Sequence, residues 1–430
     1  MRPPSLLYAL LLALGSTSLG LADTAKIVVK RRTDATEEDL RKQLLKMPDV
    51  GLSQTTAAVL YKNVEEHVKN KAEIRPDAGG LFYSQAISKQ GFSALPWLRG
   101  EDATKSREES QAMHVLSVQL RESMMKATPS GDVRPDAAKV KGSLTAAEWK
   151  KPIAIPTLVQ LLQAENTPLR ELLVELLTDI DGKEASTALA QRALFDLSPA
   201  IREKAVQALG KRPTAQYQAM LMEGLRYPWA PVADHASEAI AALDFAVYIP
   251  ELINLLKEPD PKIVLKGEKK TPHLRGVIRV NHMSNCMLCH APSYSKDELV
   301  RGRIPSPGED PPPLYYRERS GSFVRASITY LRQDFSVMQI VPDPGKWPGH
   351  QRYDYIAWMR PATKAELSNP QLANWTPRTD VDDGGTKSEL KTPGGKYPQQ
   401  DALLFALRQL TKSDAGSTYE QWSKLLKGAK

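Results

Sequence analysis

The octet Ile155-Pro156-Thr157-Leu158-Val159-Gln160-Leu161-Leu162 returns as Ile249-Pro250-Glu251-Leu252-Ile253-Asn254-Leu255-Leu256, 94 positions further along a chain of 430 residues. That separation fits three units of about 31 residues, within the range of two-helix repeats. Intermediate copies keep the period: Ile201, Ala205, Ala208 and Leu209 match Val232, Ala236, Ala239 and Ile240 at a constant offset of 31. In each copy apolar residues recur at steps of three and four, the spacing of one helix face. Small Ala lets neighbouring helices approach closely, while Leu and Ile fill the layer between them. Residues 146–265 are therefore predicted to form a short helical solenoid.

The run Ser198-Pro199-Ala200-Ile201-Arg202-Glu203-Lys204-Ala205-Val206-Gln207-Ala208-Leu209-Gly210 resembles the second half of a HEAT-type repeat. The likeness covers about a quarter of the chain. It implies a curved surface that binds other macromolecules, in a scaffold or docking role, and implies no catalysis. The first unit departs from the pattern, because Leu169-Arg170 keeps the apolar-basic step but Leu172, Leu173 and Leu176 replace the small residues. A purely structural helical core is the alternative reading.

The two cysteines of the chain stand three positions apart in Cys286-Met287-Leu288-Cys289-His290. Cysteines used as staples would be several and spaced, so these point to chemistry. In the C-x-x-C-H arrangement two thiols add to the haem vinyl groups and the adjacent His reaches the iron, which accounts for both spacing and order. The motif resembles that of the c-type cytochromes. The resemblance implies one covalent haem c on Cys286 and Cys289, with His290 as the proximal iron ligand. Two other readings use the same residues. A thioredoxin-like dithiol would require a strand-helix-strand setting that the flanking Asn281-His282 and Pro292 do not suggest, and a zinc site drawing on Cys286, Cys289 and His282 lacks an obvious fourth ligand.

The sixth iron ligand decides whether such a haem transfers electrons or binds small molecules. Met338 is the first candidate, at the separation usual in small cytochromes c, with a core methionine beside Val337 and Ile340 as the plain alternative. Met359, His350 and His282 are further candidates. His282 is read chiefly as a local cap or a propionate hydrogen bond. Arg275 and Arg279, with His273, form a basic cluster just before the motif and are candidate propionate contacts, or else a solvated charged turn. Tyr315, Tyr316 and Tyr330 either wall the pocket or simply pack.

Around these features the chain divides into residues 1–22, a signal peptide; 23–145, a helical N-terminal region; 146–265, the repeats; 266–345, a haem module; and 346–430, a Pro/Gly-rich segment and C-terminal helices. Arg2, an apolar run from Leu6 to Leu14 and small residues up to Ala22 have the order of a secretion signal cleaved before Asp23. The run is shorter than the roughly 20 residues of a membrane span. Export agrees with the haem reading, since the c-type cytochromes acquire their haem outside the cytoplasm. The formal charge of +8 falls by one with Arg2 and permits an acidic redox partner. No nucleic-acid motif accompanies it. There is no nucleophile elbow, zincin helix, phosphate loop or second C-x-x-C-H, which disfavours a peroxidase or other enzyme.

The expected protein is thus mainly α, a short HEAT-like α-solenoid with a loop-rich C-terminal haem-binding module. Its expected role is that of an exported, periplasmic or extracellular electron carrier, docked to a redox protein through the solenoid. A HEAT-repeat scaffold with a sensory or structural haem is the alternative.

Overall fold

In a computed structural model, residues 27–49, 103–129, 134–266, 271–282, 284–286, 302–303, 323–324, 333–345, 349–368 and 397–428 are described. The expected signal peptide, Cys289, His290 and the three tyrosines lie outside them. Mainly helical architecture is observed, as the periodicity predicts.

Three helix pairs form the repeats: α4 (Ile155–Leu162) with α5 (Thr167–Thr178), α6 (Lys183–Phe195) with α7 (Pro199–Leu209), and α8 (Gln218–Gly224) with α9 (Ala230–Ala242). Each second helix carries Pro in its first turn, Pro168, Pro199 and Pro231, where the missing N–H has no intrahelical partner to lose. The predicted facing positions are buried, with Ile201, Ala205, Leu209, Val232, Ala236 and Ile240 at 0% exposure. Gly224 marks a close approach of helices, since a Cβ there would lie 2.8 Å from Leu194 Cδ2 and 3.0 Å from Ala236 Cβ.

Among the described residues, three α-helices precede this array. α1 (Glu37–Leu45) opens with a reciprocal Thr36–Asp39 capping box, which satisfies two orphan donors. α2 (Ala103–Ala127) carries the predicted Met113, Leu116 and Leu120 into the core. Residues 130–142 read as a linker, yet Asp136 caps a short helix, α3 (Ala137–Ser143), that buries Val140. Arg170 joins α1 to the array, its Nη1 2.7 Å from Asp196 Oδ1 and its Nη2 2.8 Å from Glu37 Oε1.

The returning octet builds α10 (Ile249–Leu255), and its helical partner is distant in sequence. α11 (Pro398–Thr411) packs against both α9 and α10, the place of the second helix in a fourth unit. It too begins with Pro, and it buries Ala402, Leu403, Leu404, Ala406 and Leu407. α12 (Tyr419–Gly428) follows against α10. These two are the C-terminal helices expected from 400–412 and 417–426.

Between α10 and α11 the chain makes an antiparallel sheet, ordered β1 (Ile263–Lys266), β2 (Thr271–Asn281), β4 (His350–Pro361), β3 (Phe335–Ile340). The sheet crosses the boundary drawn at 345 and gives a long strand to the start of the segment read as Pro/Gly-rich. Its long strands were masked by charged and aromatic residues that are paired within the sheet. Phe323–Val324, where a strand or short helix was expected, forms a two-residue ladder with Gly302–Arg303. Val277, Phe335, Val337 and Tyr355 share one face by register and join the core of the solenoid. Phe335 stacks on Phe195, Trp229 and Tyr355 at centroid distances of 5.5, 5.6 and 4.8 Å. No helix among the described residues is long and apolar enough to cross a membrane.

Candidate cofactor site

β2 leads directly into the cysteine motif. It pairs with β4 as far as Asn281 opposite Tyr353, and the His282 N–H then donates to Arg352 O at 2.8 Å. Beneath this turn lies Asp354, whose side chain is 0% exposed. Its Oδ2 accepts from His282 Nδ1 at 2.9 Å, and its Oδ1 accepts from Arg352 Nε at 2.8 Å and from Ser336 Oγ at 2.5 Å. Burial alone would raise the Asp354 carboxyl; Arg352, His282 and Ser336 instead hold it well below the usual carboxylate range. Burial, and then Arg352, pull the His282 imidazole down, against the opposing pull of Asp354.

Arg352 extends the network to the helices. Its Nη1 donates to Gln160 O at 2.6 Å, and its Nη2 to Gln333 Oε1 and Ser336 Oγ, both at 2.9 Å. Gln163 Nε2 reaches Ser336 Oγ at 3.2 Å, and the Met338 N–H donates to Ala164 O at 2.9 Å. Each buried charge therefore has partners on two elements, the condition under which burial is tolerated.

Cys286 stands four positions after His282, with its Sγ 4.0 Å from His282 O. Burial pushes this thiol up to about 11. That direction is opposite to the depressed thiol of a redox-active dithiol.

His282 also lines a cavity of about 1020 Å³ between the sheet edge, the C-terminal turns of α2 and the α4–α5 junction. Three of the four candidate sixth ligands meet there: Met338, His350 and His282. Met359 does not, and lines a separate pocket of about 310 Å³ with Arg275. The wall of the large cavity carries both signs of charge, with Arg41, Arg121, Arg134, Arg170 and Arg352 beside Glu37, Glu38 and Glu165; Arg41 pairs with Glu37 and Arg352 with Asp354. Exposed apolar side chains stand around it, Leu45 at 49%, Met125 at 70% and Ile340 at 72%.

The basic cluster read before the motif is a strand segment, with its side chains engaged elsewhere. Arg275 Nη1 donates to Arg226 O at 3.3 Å. Arg279 Nη1 donates to Leu45 O at 3.1 Å, and its Nε lies 3.7 Å from Asp49. His273 Nδ1 meets Thr271 O at 2.9 Å. The arginines that do line the cavity come from α1, α2, the approach to α3, α5 and β4. Spread over more than 300 positions, they carry no local signal in the sequence.

A family model described as HEAT repeats matches residues 155–241. That segment contains the three contiguous helix pairs. No curated protein matches the chain, and no solved structure does.

Proposed function

We propose that the chain is an exported monohaem c-type cytochrome that exchanges electrons with a protein partner docked by its HEAT scaffold. What supports this reading is the C-x-x-C-H motif itself, together with His282, four positions before Cys286, in the wall of a roomy cavity that also offers thioether and guanidinium groups. A cavity of about 1020 Å³ lies at the upper end of the usual range for a bound organic molecule. Its donor set fits haem, which requires axial N or S ligands and cations for two propionates.

In this reading Cys286 and Cys289 hold the group covalently and His290 binds the iron. When bound, haem c supplies one-electron exchange between ferrous and ferric iron. The chain's own residues do the rest. Arg352, Asp354 and Ser336 fix the strand ends that frame the cavity, Arg41, Arg121 and Arg134 supply positive charge, and Met338 gives one wall an apolar surface. Leu45, Met125 and Ile340 offer the apolar centre that a docking partner would cover. The N-terminal pattern ending at Ala22 supports export.

The test is a pyridine haemochrome spectrum of protein from a host able to attach haem c, beside a Cys286→Ala, Cys289→Ala variant. A c-type spectrum present in the native protein and lost from the covalent fraction of the variant is expected. Folded protein without covalent haem would remove the cytochrome reading.

The HEAT match by itself favours a second reading, an interaction scaffold in which the haem is sensory or structural. Ready binding of carbon monoxide by the reduced protein would select it, because an open iron position is of no use to a simple electron carrier.

A further inference from the structure

We propose that Arg192, Asp196 and Gln163 hold one internal water molecule, which joins the second repeat to the first and to the sheet. The site is independent of the cysteine motif.

Arg192 lies on α6 and is 1% exposed. Its Nε and Nη2 are buried and donate to no acceptor among the described residues. Burial pulls the guanidinium down to about 10, against the opposing pull of Asp196, so the group is charged at neutral pH. A buried cation without acceptors is among the costliest features a core can carry. Asp196, which ends the same helix, is in the complementary position. Its Oδ1 accepts from Arg170 Nη1 at 2.7 Å and from the Ser198 N–H at 2.9 Å, while its buried Oδ2 accepts from no donor among the described residues. The charges of Arg192 and Asp196 act on each other, yet no hydrogen bond joins them. Gln163, just after α4, adds a third such group: its Nε2 donates to Ser336 Oγ at 3.2 Å and its buried Oε1 has no donor.

All three side chains line one cavity of about 10 Å³, walled on its other sides by Phe195, Phe335 and Val337. That is about one water-sized sphere, enough for a water that has two to four polar partners and too little for a sulfate or a carboxylate. The bonding pattern selects among small occupants. Arg192 requires an acceptor, whereas Asp196 Oδ2 and Gln163 Oε1 require donors. A halide ion only accepts and would lie against the Asp196 carboxylate, and a cation would lie against Arg192. Water does both: it accepts from Arg192 and donates to Asp196 Oδ2 and to Gln163 Oε1. Because Gln163 also holds Ser336, whose Oγ donates to Asp354 Oδ1, the water links the Arg170–Asp196 pair inside the repeats with the Arg352–Asp354 network at the strand ends.

A crystal structure of the native full-length protein, at a resolution that shows ordered water, tests the site without a variant. We expect a peak at about 2.7–3.2 Å from an Arg192 nitrogen, from Asp196 Oδ2 and from Gln163 Oε1. A crystal soaked in sodium bromide should show no anomalous peak at that point; a bromide peak there would make the occupant an anion and overturn the proposal. Arg192 paired directly with Asp196, with no density between them, would overturn it too. In solution, oxygen-17 magnetic relaxation dispersion counts long-held internal waters, and Arg192→Met, which keeps the bulk of the side chain and removes its donors, should hold one fewer than the native protein. An unchanged count in the folded variant would overturn the assignment to Arg192, and if the variant does not fold the native crystal decides alone.

Discussion

The ring of Phe335, on a strand, lies nearly parallel to the indole of Trp229, which caps the second helix of the last contiguous repeat, with centroids 5.6 Å apart and planes 16° from parallel. Tyr355 stacks on Phe335 from its own sheet and Phe195 from the second repeat. One side chain, 2% exposed, thus joins sheet to solenoid.

Phe335→Ala should cost about 3–5 kcal/mol, the usual price of emptying an aromatic core site. Phe335→Leu, which refills much of the volume, should cost less. Urea unfolding of both variants checks the order, and equal losses would show that Phe335 is not the joint.

Asp354→Asn leaves Arg352 buried without its counter-charge and should cost about 3–5 kcal/mol at neutral pH. Because the folded carboxyl is held far below its ordinary value of 3.8, its contribution is complete above that pH and is lost as pH falls through the folded value. The difference between native protein and variant should accordingly stay constant from pH 7 to about 5 and narrow below 4. A difference that widens on acidification would contradict the ion-pair account.

His235 titrates in a different window. Its Nδ1 donates to Leu194 O at 2.7 Å inside the array, and burial, then Arg202, pull the imidazole well below its ordinary 6.5. The unfolded chain takes up a proton below that pH and the folded chain does not. Stability should fall by up to about 1.4 kcal/mol per unit as pH drops below 6.5. His235→Gln should flatten that slope in urea titrations at pH 7.5, 6.5 and 5.5.

Arg170→Ala should release α1 from the array, since the guanidinium bridges Asp196 and Glu37, and should leave Asp196 buried without that partner at a cost of about 3–5 kcal/mol. Limited proteolysis near residues 46–49 checks the release, and Arg170→Lys should rescue it only in part because one ammonium cannot span both carboxylates.

The solenoid was legible because each unit repeats one apolar period over a local window, and Ala205, Ala208 and their copies fall where helices touch. The sheet was not. Arg275, Arg279, Arg352 and Asp354 made its strands look like charged turns, and only the tertiary pairing of those charges makes the strands buriable. The cysteine motif could be read from five consecutive residues, whereas Asp354 beneath His282 lies 72 positions away and the arginines of the cavity are scattered from Arg41 to Arg352. Long-range partners leave no spacing to read. The fourth unit was half visible, its first helix in the returning octet and its second in the leucines of residues 403–410, with about 140 residues between them concealing that they are one pair.

That interrupted unit has a consequence in time. A growing chain completes α10 long before α11 exists, and at about 5–20 residues per second the apolar sides of α9 and α10 wait on the order of 10–30 s for their cover. During that interval the bare flank of the array is a surface for a holding chaperone. Since α11 can dock only after the strands and the cysteine motif have emerged, closure of the last unit reports that the whole insertion is present.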